Sequence, residues 1–215
     1  GATTLVAWKI GAGELEDARN VTRQTLVLGL LLGTVMSVLG VVSAPAIVRF
    51  MGAEPDTFAD ANIYFQIVSA GLVFQAVNMG ITAALRGAGE TKIPMLYNVG
   101  SNLFNVFGNY VLIYGKLGFP RWEVAGAAIS TSFSRFLGCL AGLYVLYCSR
   151  HTILHLSVGG DYRLHRPTVA KIFDIGLPAA LEQFVLQSGL MLFARTVSGL
   201  GTMKFAAHQI GFNIS

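Results

Sequence analysis

Long uncharged stretches alternate along the chain with short polar segments, and the stretches have membrane-spanning length. Arg23 and Arg49 bracket 25 uncharged residues, Asp60 and Arg86 another 25, and Lys92 and Lys116 a further 23. A fourth stretch, 124–149, is interrupted only by Arg135, and a fifth, between Asp174 and Arg195, only by Glu182. About 20 apolar residues cross a bilayer core as a helix, so each stretch predicts one transmembrane helix. Residues 1–8 read as the tail of another apolar segment and 205–215 as the start of one. The chain begins at Gly1 without a signal-peptide pattern. The expectation is a piece of a larger polytopic protein: an all-α membrane helix bundle with five complete and two partial spans.

The polar segments have the chemistry of helix ends. In Lys9-Ile10-Gly11-Ala12-Gly13-Glu14 a cation closes one helix, glycine permits a left-handed cap, and acids open the next helix. Arg86-Gly87-Ala88-Gly89-Glu90-Thr91-Lys92 repeats that order, with Pro94 near a helix start. Neither Gly-x-Gly has the third glycine or the preceding strand of a nucleotide loop, so capping explains both. Segments 9–23, 86–92 and 150–171 hold nine Lys and Arg, against five in 49–60, 116–122 and 195–204. By the positive-inside rule the first set faces the cytoplasm. Segment 150–166 is the longest connection and the expected cytoplasmic linker between an N-terminal lobe, 1–149, and the start of a C-terminal lobe, 167–215.

Composition agrees with this reading. Apolar residues make up 53 % and charged residues 12 % of the chain, about half the charged share of an average soluble domain. A net charge of +4 with scattered Lys and Arg argues against nucleic-acid binding. Cys139 and Cys148 are too few for a disulfide framework and wrongly spaced for zinc.

Polar residues inside the spans carry the functional information, because lipid cannot satisfy them. Asn98, Asn102, Asn105 and Asn109 recur at i, i+4, i+7 and i+11, one face over three turns. They line either an interhelical hydrogen-bond seam or a water-filled cavity, and their oxygens suit Na⁺ and polar drug groups. Gly126, Ser130, Ser134, Gly138 and Gly142 stand four apart on the next span, as do Gly29, Gly33 and Ser37 on an earlier one. Such small-residue ridges let helices approach closely. Thr131 sits beside the first ridge and offers a hydroxyl to a neighbouring site. Arg135, one turn further, either pairs internally or snorkels to the cytoplasmic surface. Glu182 follows Pro178 by one turn, with Gln183, Gln187 and Ser188 nearby. A buried acid beside a helix break suits a cation or proton site coupled to movement, the alternative being a structural ion pair with Arg135. Gln75, Asn78 and Thr82 share an inward face of the second span. His151 and His155 are four apart, but no further ligand completes a metal site. His208 stands alone. No nucleophile, base and orienter stand at diagnostic spacing, which favours a transporter over an enzyme.

Several segments carry a family resemblance. Gly1-Ala2-Thr3-Thr4-Leu5-Val6-Ala7 with Ile10-Gly11-Ala12-Gly13 resembles the second-helix exit of multidrug and toxic compound extrusion (MATE) transporters. Leu85-Arg86-Gly87-Ala88-Gly89-Glu90-Thr91-Lys92 resembles that family's loop between helices four and five. Asn105, then Asn109 through Gly115, and Gly126 through Thr131 are similar to its helices five and six. Gly176 through Ala180, Gly199 through Thr202 and Ala206 through Ile210 are similar to helix seven and the start of helix eight.

The resemblance implies a twelve-helix protein of two six-helix lobes, with a MATE/MOP-flippase-like fold. It exports cationic or amphipathic drugs and toxins in exchange for Na⁺ or H⁺ by alternating access. This chain would run from the end of helix two into helix eight. One branch of the family builds a cation site from an Asp on helix one, an Asn and an Asp on helix five, and a hydroxyl on helix six. Asn105 matches that Asn, Asn109 replaces the Asp and Thr131 matches the hydroxyl, which makes these three the candidate Na⁺ site. Another branch has an essential Glu on helix seven. Leu186 occupies its position, and Glu182 lies one turn earlier. The candidate cation- and substrate-binding set is therefore Asn102, Asn105, Asn109, Thr131, Glu182 and Gln183. Beyond the coupling ion no cofactor is implied, and a monomer in the inner (cytoplasmic) membrane is expected. The competing readings are a lipid-linked oligosaccharide flippase of the same superfamily, which needs a cationic cavity, and a membrane enzyme acting on lipids.

Overall fold

The computed structural model of the chain describes residues 1–50, 58–115, 123–149, 152–157, 160 and 162–198. Every regular element among them is a helix: α1 (Ala2–Gly11), α2 (Leu15–Phe50), α3 (Phe58–Ala70), α4 (Leu72–Gly87), α5 (Lys92–Tyr114), α6 (Glu123–Cys148) and α7 (Arg166–Ser198). Three segments are long and apolar enough to cross a membrane by length and composition: Leu15–Phe50, Phe58–Gly87 and Val124–Cys148. The 23 residues of α5 are long enough as well, and its four asparagines dilute its hydropathy. The 205–215 segment, His151 and His208 lie outside the described residues.

The expected second span is two helices, α3 and α4, separated at Gly71. Side chains from two neighbouring helices reach the break. Ser132 Oγ on α6 donates to the Ile67 carbonyl at 2.9 Å, and Ser37 Oγ on α2 donates to the Ala70 carbonyl at 3.2 Å. The Ile67 carbonyl keeps its bond from Gly71 N–H at 3.2 Å, so Ser132 adds a second donor there, while Ser37 takes up the Ala70 carbonyl at the break itself. Gly71 also permits the approach, since a Cβ there would lie 2.8 Å from Ser132 Oγ.

The two glycine loops close alike. Glu14 N–H reaches the Lys9 carbonyl at 2.9 Å around Gly13, and Glu90 N–H reaches the Leu85 carbonyl at 2.9 Å around Gly89. Gly13 and Gly89 have φ of 78° and 82°, left-handed values that glycine adopts without a Cβ clash. In the first loop Lys9 pairs with Glu14 and, at 2.8 Å, with Asp17.

Two compact units divide the chain, residues 2–169 and residues from Ala170 on. In the first unit α2 packs on α1, α3 and α4, and α6 packs on α3, α4 and α5. Glycines set the close crossings: a Cβ at Gly33 would lie 2.9 Å from the Val73 Cα, and one at Gly126 2.8 Å from the Leu112 carbonyl oxygen. Leu85, Ile81, Leu146 and Val6 are fully enclosed between these helices, while Leu96, Leu103, Val106 and Tyr144 point outward as lipid-facing residues do.

Described residues after α6 fold onto this unit. Leu156 N–H donates to the Leu146 carbonyl at 2.8 Å, and Ile153 N–H donates to Glu90 Oε1 at 2.8 Å. The Gln24 side chain on α2 grips the approach to α7 twice: Nε2 donates to the Arg163 carbonyl at 2.7 Å, and Oε1 accepts from His165 N–H at 3.1 Å. The second unit is carried by α7, with Pro178 inside the helix. Its side chains Leu177, Leu181, Phe184, Val185 and Leu186 are all exposed.

Candidate functional site

The polar face of α5 meets the small-residue ridge of α6. At about 100° per residue the four asparagines span about 60° of α5. Ser101 and Gly108 continue the arc beyond Asn105, on the side that packs against α6. Asn98, Asn105 and Asn109 are accordingly half-buried, and Asn102, at the other edge of the arc, is exposed.

Asn105 is the centre of this face. Its Nδ2 donates to Thr131 Oγ1 at 3.4 Å, and its Oδ1 accepts from Asn109 Nδ2 at 3.3 Å. Its backbone carbonyl accepts from Ser130 Oγ at 3.0 Å. Thr131 Oγ1 in turn donates to the Ala127 carbonyl at 2.9 Å. Further along, Ser101 Oγ bonds the Ser134 carbonyl, and Ser134 Oγ donates to the Thr131 carbonyl at 2.9 Å. Interhelical hydrogen bonds of this kind contribute on the order of 1 kcal/mol each. The Asn109 Oδ1 atom is sealed from solvent and has no hydrogen-bond partner among the described residues, so one acceptor in the group is left for another donor or a cation.

A second polar group lies between α4 and α5. Asn98 Nδ2 donates to the Pro94 carbonyl at 2.8 Å, and its Oδ1 accepts from Asn78 Nδ2 at 3.2 Å. Thr82 Oγ1 and Tyr97 OH are 2.8 Å apart. The asparagine face is thus an interhelical seam at Asn98 and Asn105, with Asn102 exposed at its edge.

Asn105, Asn109 and Thr131 are brought together. The arrangement offers three neutral oxygens, hard donors of the type Na⁺ accepts, with no carboxylate on α4 or α5 and none on α6 beyond Glu123 at its start. Glu182 and Gln183 are exposed on α7, one turn after Pro178, whose missing N–H frees the Asp174 carbonyl. Among the described residues no three His, Cys, Asp or Glu side chains converge to hold a metal. Spacing alone marks Ser130 and Ser134 as small packing residues and does not single out Ser101 or Tyr97. The signal for Ser101 was its place three residues after Asn98 on the edge of the same arc.

Comparison with known proteins follows the same architecture. A family profile described as MatE matches residues 1–111. A protein named as a probable multidrug resistance protein NorM, from Thermotoga maritima, is 30 % identical over 100 % of this chain and 46 % of its own length. The multidrug resistance protein PmpM of Pseudomonas aeruginosa is 29 % identical over 99 % of the chain and 45 % of its own length. A crystal structure of MATE in the bent conformation superposes with a TM-score of 0.86 at 29 % identity, covering 100 % of this chain and 47 % of that one. The chain thus spans about half the length of the relatives it matches. With a profile match over more than half its residues, a bundle that superposes on solved MATE structures and spans of membrane-crossing length, the chain belongs to the MATE (MatE) family of transporters.

Proposed function

We propose that this chain forms part of a secondary active antiporter that exports cationic or amphipathic drugs and toxins in exchange for Na⁺ or H⁺. The observation that carries the reading is the hydrogen-bonded Asn109–Asn105–Thr131 chain inside the first unit, with Asn109 Oδ1 left without a donor among the described residues. The names of the relatives, a probable multidrug resistance protein in one organism and a multidrug resistance protein in another, support the substrate class. In this reading Asn105, Asn109 and Thr131 supply oxygens to the coupling cation. Asn102, exposed on the same face, meets polar groups of the drug. Glu182 and Gln183 provide a carboxylate and an amide beside the Pro178 break, where a change in charge state can bias a bend in α7. Cation and drug occupy opposite conformations of two lobes, so each drives the other's release. The protein works as a monomer in the inner (cytoplasmic) membrane, with the 9–23, 86–92 and 150–171 segments on the cytoplasmic side.

The test uses the full-length protein in inside-out membrane vesicles with ethidium as the dye. A Na⁺ or pH gradient is imposed and dye movement is followed for the wild type, Glu182→Gln and Asn105→Ala. Gradient-driven exchange that both substitutions weaken supports antiport through these residues and names the ion. Unchanged exchange in both variants at normal expression rejects the site assignment, and no exchange under either gradient rejects the function.

A further inference from the structure

Arg135 is the thirteenth of the 26 residues of α6, midway along a membrane-spanning helix. At about 100° per residue it lies about 60° from Ser132, which faces α3, and about 100° from Ser134, which faces α5. Thr131 and the buried Cys139 flank it at one turn on either side. This is the inward face of α6; the exposed Phe133, Leu140 and Tyr144 occupy the opposite face. Arg135 therefore does not reach for the cytoplasmic surface along the lipid face. Its Nη1 atom is sealed from solvent and has no hydrogen-bond partner among the described residues.

Arg135 is half-buried, and the spans packed on its helix hold no acid between their ends. From Asp60 at the start of α3 to Glu90 after α4, from there to Glu123, and on to Asp161, the sequence contains no acid. Along their spans α3, α4 and α5 thus present amides, hydroxyls and backbone to α6. A guanidinium in a low-dielectric interior is costly without an anion, and its planar fork matches a carboxylate in two parallel hydrogen bonds.

We propose that Arg135 is a carboxylate-receiving site in the interior of this unit, one turn of α6 from Thr131. The carboxylate is that of the transported molecule, which makes Arg135 a specificity residue. The inference rests on the transporter reading.

A matched dye pair tests it. Rhodamine 110 carries a free carboxyl group, and rhodamine 123 is its methyl ester. Equilibrium binding of each to the detergent-purified full-length protein needs no gradient and so does not depend on antiport. With a substrate carboxylate, the wild type prefers the free acid, Arg135→Gln removes that preference by about tenfold, the effect of losing a charged hydrogen bond, and Arg135→Lys retains part of it. A wild type with no preference for the free acid, or a preference that Arg135→Gln leaves intact, overturns the proposal. Arg135→Met at an unchanged melting temperature shows that a lost preference is not a loss of fold. Loss of gradient-driven exchange with the dye preference intact would reject antiport and leave the carboxylate site standing.

Discussion

The α5–α6 pair and α7 hold the same kinds of polar residue in opposite situations. Between α5 and α6, amides and hydroxyls bind one another and the backbone of the facing helix. On α7, Glu182 and Gln183 stand exposed among equally exposed leucines and a phenylalanine. The first region is an interior most of whose polar groups are fixed in place, with the Asn109 Oδ1 acceptor left open among the described residues. The second is a surface of high apolar content, the kind that a helix presents to lipid or to further protein. A site built on the first region is preorganised, and one built on α7 takes its environment from whatever covers it.

The largest expected effect is on transport. Glu182→Gln keeps the size of the side chain and removes its charge, so it is expected to abolish gradient-driven ethidium exchange in vesicles while leaving the melting temperature of the purified protein unchanged. An unstable Glu182→Gln protein would move α7 into the class of fixed interiors and break the comparison.

Glycine pairs sharpen it next. A Cβ at Gly126 meets the Leu112 carbonyl oxygen at 2.8 Å, whereas one at Gly189 on α7 meets nothing within 4 Å. Gly126→Ala is expected to destabilise the full-length protein by about 1–3 kcal/mol through overpacking. Gly189→Ala is expected to be neutral or to stabilise by up to about 1 kcal/mol through helix propensity. Thermal melts in detergent read both.

Asn105→Ala removes the bond to Thr131 and the acceptor of Asn109, and is expected to cost about 1 kcal/mol for each interhelical bond lost. Added Na⁺ should raise the melting temperature of the wild type and not of this variant, if the cation binds there.

The smallest effect belongs to Lys9, whose pKa is raised above its ordinary 10.5 by Asp17 first and then Glu14. The contribution of this exposed pair is complete below pH 10.5 and is lost as pH rises through the higher folded value. Lys9→Met should therefore lower the melting temperature least of these variants, by the same small amount from neutral pH up to about pH 10, with the difference closing above it.

Much of this fold was legible in the spacing of charges. Arg23 to Arg49 and Lys92 to Lys116 mark helices because charges are excluded from lipid, a rule that acts residue by residue. The caps at Gly13 and Gly89 were legible for the same reason: a left-handed turn is a local demand. The break at Gly71 was not. It is accompanied by bonds from Ser37 and Ser132, hydroxyls 34 and 61 residues away in sequence, and periodicity within 58–87 contains no trace of them. The asparagine face was legible as polar and inward, but its division into bonded Asn105 and exposed Asn102 depends on which edge of the arc α6 covers. Arg135 was left between two readings because a helical wheel needs a known neighbour before inward has a meaning.

The Gln24 clamp on Arg163 and His165 has a mechanical consequence. A connection pinned by two hydrogen bonds just before α7 has almost no slack, so it cannot act as an elastic leash. It holds residues 163–165 against α2 as a rivet would: a longer segment ahead of Arg163 leaves both bonds in place, whereas Gln24→Ala removes both at once.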